Sequence, residues 1–351
     1  MTNSARTELI DPTLDPHPPD GRADDHRPGA RPWAALLAIA LVVGLAVVAF
    51  AWPAARLAPR DLPIGLAGPD AAVQQVERQL AEQQPGAFQV TRFAAAADLD
   101  DAIRSREVYG GLALAADGVS VRTATAASPV VAELLRGVGG RVSEATGAPL
   151  DPVDVVAAPA ADPRGAAFGS SMLPLVLAGE IAALLVLLSV GPGLVQVLTL
   201  LAASGGAGAM VLLVTGTWLD VLPGGGWETW GALSLTVLAI AAAAAGLNAL
   251  HGRPGLGLAA VLMIFVGNPF SGATSAPELL PTAAGTIGQL LPPGAGANLV
   301  RSVTSFDGAG AAGHLAVLLV WSVAGLLLTL LAARLPRPAG VHPVGPHPTS
   351  S

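Results

Sequence analysis

Six apolar runs, most of them long enough to cross a bilayer, constrain this chain more than any other feature of its sequence. The clearest run extends from Trp33 to Trp52 without a charged residue. A hydrocarbon core of about 30 Å requires about 20 apolar residues in a helix, and this run has that length. Tryptophan flanks the run on both sides, at the depth that amphipathic rings prefer in a bilayer. The chain is therefore predicted to be a polytopic α-helical membrane protein in contact with the lipid bilayer.

Five further apolar runs follow in the later part of the chain. They cover residues 169–190, 194–216, 230–250, 255–272 and 313–333. The run 255–272 is the shortest of them and ends in Asn268 followed by proline, so its boundary is the least defined. Counting it as a span gives six predicted membrane-spanning helices.

The low charge content supports the membrane assignment and removes several classes of function. Charged residues make up 12% of the chain, against about 25% in soluble domains. The formal net charge of −7 argues against a nucleic-acid-binding protein, which would show a basic face. The absence of cysteine excludes disulfides and thiolate metal sites.

All Lys and Arg positions are arginine, and the absence of lysine has a direct consequence. A phosphate-binding P-loop requires the lysine of G-x-x-x-x-G-K-[ST], so this chain contains none. If ATP powers the protein, a separate polypeptide must hydrolyse it. The arginine-only usage, with abundant glycine and proline, favours a GC-rich bacterium and hence the bacterial plasma membrane.

Residues 53–168 differ from the apolar runs because charges and amphipathic periods return there. Apolar side chains recur at helical spacing at Val73, Val76 and Leu80. Asp117 and Gly118 form a two-residue turn signal between two strand-like stretches, which predicts a β-hairpin. Other strand-like stretches occur at 64–67 and 153–156. We expect a small extracytoplasmic α/β domain between the first and second spans.

The predicted organisation has five parts. They are a disordered cytoplasmic tail (1–31), a first transmembrane helix (32–52), the α/β domain (53–168), a five-helix transmembrane domain (169–335) with an external re-entrant segment (273–312), and a disordered cytoplasmic tail (336–351). Arg31, Arg253 and Arg334 lie near span ends and favour the cytoplasmic side, so both termini are expected inside. A cleaved signal peptide is the alternative for the first run, but the run exceeds the usual apolar core of about 7–15 residues.

Four polar side chains fall inside or at the ends of the predicted spans. Glu180 is the most telling, because a charge at the centre of a span costs about 2.5–3.5 kcal/mol on insertion scales. It either contacts a substrate or a proton, or it is a neutral acid bonded to a neighbouring helix. Gln196, Asn248 and Asn268 are typical of interhelical hydrogen bonds. Together these four residues are the candidates for a substrate pathway or for polar contacts between helices.

Catalytic motifs are sparse. The chain contains no H-E-x-x-H, no G-x-S-x-G and no metal-spaced cluster of His and Asp. Ser204 and Gly205 resemble the G-x-S-G of intramembrane serine proteases, but the first glycine is missing. Neither an enzyme nor a cofactor is therefore expected.

The order of the predicted segments is specific enough to suggest a family. A single span is followed by the α/β domain and then by five spans, with a long segment before the last of them. Four local stretches add to it: DAIRSREVYG (101–110), FGSSMLP (168–174), GNPFSG (267–272) and LPPGA (291–295). Over residues 33–335 the chain resembles the type-2 ABC exporter permeases and the related YhgE/Pip (phage infection protein) membrane proteins.

This resemblance implies a permease subunit that forms a homodimer or heterodimer, pairs with a separate ABC ATPase and exports hydrophobic or amphipathic substrates. Such permeases usually offer the ATPase a coupling helix between the second and third spans. Here that link is only 190–193, which is uncharged and too short for a helix. A membrane-anchored surface or scaffolding protein of the YhgE/Pip type, binding envelope or partner proteins, is therefore the alternative.

The two hypotheses predict different arrangements of the polar residues. Transport predicts that Glu180, Gln196, Asn248 and Asn268 converge on one cavity between helices. Scaffolding predicts that they satisfy one another, and that the α/β domain exposes an apolar patch instead.

Overall fold

The computed structural model describes residues 32–223 and 226–334, and the two predicted tails, 1–31 and 336–351, lie outside the described residues. The chain is mostly helical (67%) and contains a small α/β region with one β-sheet. By its contacts it divides into two units, Met1–Leu45 and Ala46–Ser351. The features described below all belong to the second unit, apart from the first half of helix α1.

Five helices are long and apolar enough to cross a membrane. They are α1 (Pro32–Ala55), α5 (Ala166–Ser189), α6 (Leu194–Leu212, continued by a π-helical turn over Leu213–Trp218), α7 (Trp227–His251) and α11 (Ala311–Ala332). The other helices of the described residues are shorter. The structure therefore supports a membrane protein, with five candidate spans among the described residues.

The sixth predicted span, 255–272, is not confirmed. Its residues form the short helix α8 (Arg253–Ala260), which continues as a π-helical stretch over Val261–Gly267. At 1.5 Å per residue the combined helix is about 22 Å long, against a hydrocarbon core of about 30 Å. The helix ends just before Pro269, which lacks the N–H that the next turn would need.

Helix α7 forms the centre of the bundle, and most of its spanning part is buried by the neighbouring helices. Its run of alanines packs against α5, α6 and α11. Glycines let those helices approach closely: a Cβ added to Gly325 of α11 would lie 2.1 Å from the carbonyl oxygen of Ala242. A Cβ added to Gly208 of α6 would lie 2.2 Å from Oγ of Ser234. The middle of the bundle is thus filled by a helix.

The α/β domain contains a five-stranded sheet in the order β2-β1-β3-β4-β5, parallel except for the β3–β4 hairpin. The strands are β1 (Leu62–Ala67), β2 (Phe88–Phe93), β3 (Gly110–Ala115), β4 (Gly118–Thr123) and β5 (Leu150–Asp154). A two-residue turn at Ala116 and Asp117 closes the hairpin, one position before the predicted pair, because Gly118 already pairs with Ala115 in the ladder. The predicted strand at 153–156 begins earlier, at Leu150, because it pairs with the whole of β4.

Three helices cover the two faces of the sheet. Helices α2 (Asp70–Gln83) and α4 (Pro129–Thr146) pack on one face, and α3 (Ala96–Arg104) packs on the other. The predicted face of Val73, Val76 and Leu80 is buried in the first of these cores. The periodicity of the sequence therefore predicted this part of the domain.

The residues between Gly267 and Ala311, here called the connecting segment, join the domain to the bundle. They contain a short 3₁₀ turn (Pro277–Leu279), α9 (Thr282–Leu290) and α10 (Pro292–Ser305). Ala276 and Leu279 belong to the core of the α/β domain, and Phe306 belongs to the core beneath α3. Ala295, Ala297, Leu299 and Val300 of α10 belong to the bundle core. The segment predicted as re-entrant is therefore shared between both parts of the molecule.

Candidate functional site at the domain–bundle junction

Arg106 connects the end of α3 to α10. Its backbone adopts a left-handed conformation, with φ of 61°, directly after the helix ends. Its guanidinium donates hydrogen bonds to the carbonyl oxygen of Asn298 at 3.2 Å, to Oδ1 of Asn298 at 3.0 Å and to Oγ of Ser302. The same guanidinium lies 5.3 Å from the ring centroid of Phe306, within cation–π range. One side chain of the domain thus binds three acceptors on α10.

Arg301 lies about one turn after Asn298 in α10 and is 6% exposed. It donates to the carbonyl oxygen of Ala273 at 2.9 Å, and its guanidinium lies 4.7 Å from the ring centroid of Phe168. Among the described residues, neither Arg106 nor Arg301 forms an ion pair. Burial, and then the nearby charge of Arg106, lower the pKa of Arg301 to about 10. Since a guanidinium keeps its proton in proteins, a buried and a half-buried positive charge lie close together.

Asn298 is the residue that both arginines share. It is 3% exposed, and its Oδ1 accepts from Arg106 at 3.0 Å and from Arg301 at a longer 3.5 Å. Its Nδ2 donates to Oε1 of Gln289 at 2.7 Å, and Nε2 of Gln289 in turn donates to the carbonyl oxygen of Ser271 at 2.9 Å. We call this set of hydrogen bonds the junction network.

A second contact joins Tyr109 of the domain to Glu278 of the connecting segment. The Tyr109 hydroxyl donates to Oε2 of Glu278 at 2.8 Å. Burial, and then the neighbouring Glu278 carboxylate, raise the pKa of Tyr109, so the phenol remains a donor. The backbone also takes part, because the N–H groups of Ala58 and Arg60 donate to the carbonyl oxygens of Leu279 and Glu278, each at 3.0 Å.

A cavity of about 210 Å³ lies between these two contacts. Residues of both parts line this junction cavity, among them Arg106, Tyr109, Glu278, Gln289, Asn298 and His314. The Arg106 guanidinium and the Glu278 carboxylate attract each other electrostatically without forming an ion pair. The cavity therefore has unpaired charges of both signs in its wall.

The four polar residues predicted from the sequence do not meet at one site. Gln196 and Asn248 line a cavity of about 350 Å³, here called the distal cavity, between the ends of α5, α6, α7 and α11. Asn268 lines a separate cavity of about 160 Å³ near the start of α5. Glu180 lies in α5 and lines neither of these cavities. The convergence expected of a transport pathway within one chain is absent from the described residues.

These four residues do not satisfy one another either. Oε1 of Glu180 and Oε1 of Gln196 are buried and have no hydrogen-bond partner among the described residues. Nε2 of Gln196 reaches only the carbonyl oxygen of Val190, at 3.5 Å. The apolar patch expected of a scaffold is not evident in the described part of the domain, where Leu57, Val130 and Leu150 are exposed on separate elements.

Sequence reasoning missed the junction network. Arg106 and Tyr109 stand within the stretch 101–110, which carries part of the family resemblance, but no role was predicted for them. Arg301 could have indicated the network from the sequence, because it directly follows the apolar pair Leu299 and Val300. An arginine in such surroundings requires buried hydrogen-bond acceptors.

Comparison with protein-family models, with curated proteins and with solved structures gave no match. The resemblance to type-2 ABC exporter permeases therefore depends on the order of segments and on short stretches of sequence. What the chain does has to be inferred from its residues and their geometry.

Proposed function

We propose that this chain is the permease-like membrane component of an ABC-type exporter of hydrophobic or amphipathic substrates, with the ATPase on a separate polypeptide. The junction network is the observation that carries this proposal. A passive anchor needs only one membrane helix and a linker to hold its domain. Here the domain is instead bound to α10 by partly buried hydrogen bonds and to the connecting segment by shared apolar cores. A domain bound in this way moves with the bundle.

Helix α10 is the element that would transmit such movement. Its apolar face packs against α7 and α11 in the bundle core, while Asn298 and Ser302 bind Arg106 of the domain. A shift of α7 or α11 therefore displaces the residues that hold the domain. Packed elements of this kind have discrete arrangements rather than continuous ones, as a transporter with two states requires.

The filled centre of the bundle indicates where a substrate would pass. Because α7 occupies the middle of one chain, we place the pathway between two bundles, in a homodimer or heterodimer. Glu180 fits this placement, since it lies at the boundary between the two faces of α5. One turn away on either side, Val176 and Ala183 are buried, whereas Leu177 and Leu184 are exposed. Glu180 itself is half-buried, with its Oε1 buried, so a small shift of α5 at an interface between two bundles would bring its carboxyl group to that interface.

A surface or scaffolding protein is the second candidate, and the short links between helices favour it. Only residues 190–193 separate α5 from α6, and only Gly252 separates α7 from α8. Neither link has room for a helix that could receive force from an ATPase. An ATPase partner would have to contact the helix ends directly.

Affinity capture of the full chain in mild detergent separates the two candidates. We expect an ABC ATPase to co-purify, and the reconstituted pair to hydrolyse ATP and export a hydrophobic dye. Glu180→Gln should lower export about tenfold, because it removes an intramembrane acid from the proposed pathway. Glu133→Gln is the matched control, since Glu133 is an exposed acid of the α/β domain. Recovery of no ATPase, with dye export equal in both variants, would leave the scaffolding role.

A further inference from the structure

The junction cavity has the features of a binding site for a zwitterionic group. Its wall carries one guanidinium and one carboxylate, and neither has an oppositely charged partner within ion-pair distance among the described residues. A buried charge is stabilised when an opposite charge reaches it with good hydrogen-bond geometry. A ligand that brings both charges would stabilise both groups together.

Arg106 has donors left for such a ligand. A guanidinium carries five N–H groups, and three of the Arg106 groups are used on Asn298 and Ser302. Two remain without a partner among the described residues. Carboxylates and phosphates accept two N–H groups of an arginine side by side, which makes them the strongest ligands for this fork.

Glu278 has an acceptor left in the same way. Its Oε2 accepts from Tyr109, while Oε1 accepts no hydrogen bond from a described residue. An ammonium group would donate to this oxygen with the added strength of a charged pair. The other titratable groups on the wall are Glu107, which is exposed, and His314. A ligand with only a negative charge would therefore face two carboxylates.

The two charges are held apart rather than left to collapse on each other. Asn298 and Ser302 fix the Arg106 side chain, and Tyr109 fixes the Glu278 carboxylate. The backbone of Glu278 is also held, through the N–H of Arg60. Since the groups are already in place, a ligand spends little free energy on ordering them.

The position of the cavity points to a lipid headgroup. His314 stands in the first turn of α11, so the cavity lies at the end of a candidate span. Headgroups occupy this depth of a bilayer, outside the hydrocarbon core. Phosphoethanolamine carries a phosphate and an ammonium in one small group. We infer that the junction cavity binds a zwitterionic group, with its anionic part on Arg106 and its ammonium on Glu278, as in a phosphatidylethanolamine headgroup.

Native mass spectrometry of the full chain, delipidated and then titrated with defined lipids, tests this inference independently of any transport activity. We expect the wild-type chain to retain phosphatidylethanolamine about tenfold better than phosphatidylglycerol, which has the phosphate but no ammonium. Glu278→Gln should abolish that preference, while its amide oxygen still accepts from Tyr109. Arg106→Gln should weaken the retention of both lipids.

Two exposed residues provide matched controls. Arg104→Gln and Glu133→Gln change the same charges outside the cavity, and neither should alter retention. Circular dichroism establishes that each variant is folded, and Glu278→Gln decides the matter if Arg106→Gln proves unstable.

Soluble O-phosphoethanolamine distinguishes a lipid headgroup from a soluble zwitterion as the ligand of the cavity. If it raises the melting temperature of wild type but not of Glu278→Gln, while no lipid is retained, the site is confirmed and its ligand is a soluble zwitterion. The inference is overturned if O-phosphoethanolamine does not raise the melting temperature in this way and one of two lipid results is found. Either wild type retains both lipids equally, or its preference for phosphatidylethanolamine survives Glu278→Gln.

Discussion

Two buried side-chain amides, Asn298 at the junction and Gln196 at the distal cavity, differ in how they are hydrogen-bonded. At the junction, the amide of Asn298 is hydrogen-bonded through both of its polar atoms, with two arginines on its oxygen and Gln289 on its nitrogen. At the distal cavity, Gln196 is equally buried, yet its Oε1 has no partner among the described residues. Buried polar groups cost free energy unless they are hydrogen-bonded. Asn298 is therefore stabilised by its partners, whereas the buried amide oxygen of Gln196 carries a cost in free energy.

This difference bears on function. A buried polar group without a partner calls for an explanation, such as local strain, a bound water or ion, or a functional role. In the predicted orientation the distal cavity faces the cytoplasm, on the side where an ATPase would dock. Val190, Gly191 and Pro192 of the short link between α5 and α6 line this cavity. The predictions below test whether the contrast between the two ends is real.

Asn298→Ala should have the largest effect. It leaves Arg106 with Ser302 as its one side-chain acceptor and removes a shared acceptor from Arg301, so buried guanidinium groups lose their hydrogen bonds. We expect a loss of about 3 kcal/mol in the free energy of unfolding. Thermal unfolding in detergent measures it, and limited proteolysis should show a more accessible connecting segment.

Asn248→Ala is the control for this change at the opposite end. Asn248 lines the distal cavity and makes no side-chain hydrogen bond to a described residue. Its removal should therefore cost less than about 0.5 kcal/mol. Equal losses for Asn298→Ala and Asn248→Ala would abolish the contrast.

Gly325→Ala tests whether the bundle centre is as tightly packed as the junction. The new methyl group would lie 2.1 Å from the carbonyl oxygen of Ala242, so α11 must move away from α7. We expect a loss of about 2 kcal/mol, in the range of overpacked cores. Gly313→Ala in the same helix is the control, because nothing lies within 4 Å of its added Cβ. It should leave stability unchanged or raise it slightly.

The sequence predicted those parts of the fold that local patterns determine. Val73, Val76 and Leu80 recur at helical spacing, and the Asp-Gly signal at 117–118 predicts the hairpin to within one position of its turn, so both elements follow from a few neighbouring residues. The long apolar runs likewise predicted the candidate spans. The run 255–272 is apolar throughout, which predicted a span, but its helix ends at Gly267, before Pro269, and the span is not confirmed.

The junction network lay beyond prediction because its residues are far apart in the sequence. Arg106 and Asn298 are separated by 192 positions, and no period or spacing connects them. Glu180 was easier to single out, since a charge in an apolar run is visible in isolation. Local sequence patterns therefore single out Glu180, which lies alone in an apolar run. They do not single out Arg106, because its partner Asn298 lies in another part of the chain.

Gln196→Leu should raise stability, in contrast to Asn298→Ala. Leucine has nearly the same volume and removes the buried amide oxygen that has no partner. We expect a gain of about 1 kcal/mol in thermal unfolding experiments. If ATP hydrolysis by a co-purified ATPase falls at the same time, the distal cavity is a functional site. A loss of stability would mean that Gln196 has a partner outside the described residues.

Tyr109 provides the smallest effect and the most specific one, because it is the only tyrosine of the chain. Its pKa is raised by burial and by Glu278, so the folded state resists ionisation of the phenol. The stabilising contribution is present below about pH 10, the ordinary pKa of tyrosine, and is lost as the pH rises above it. Tyrosinate absorbance near 295 nm should therefore stay low in the folded chain at pH 10 to 11 and appear on unfolding. Glu278→Gln should move this transition toward the ordinary value, and Tyr109→Phe should remove it. A titration with the ordinary pKa in the folded wild type would show that the contact between Tyr109 and Glu278 does not form, and Arg106 would then provide the side-chain hydrogen bonds between the domain and α10 without it.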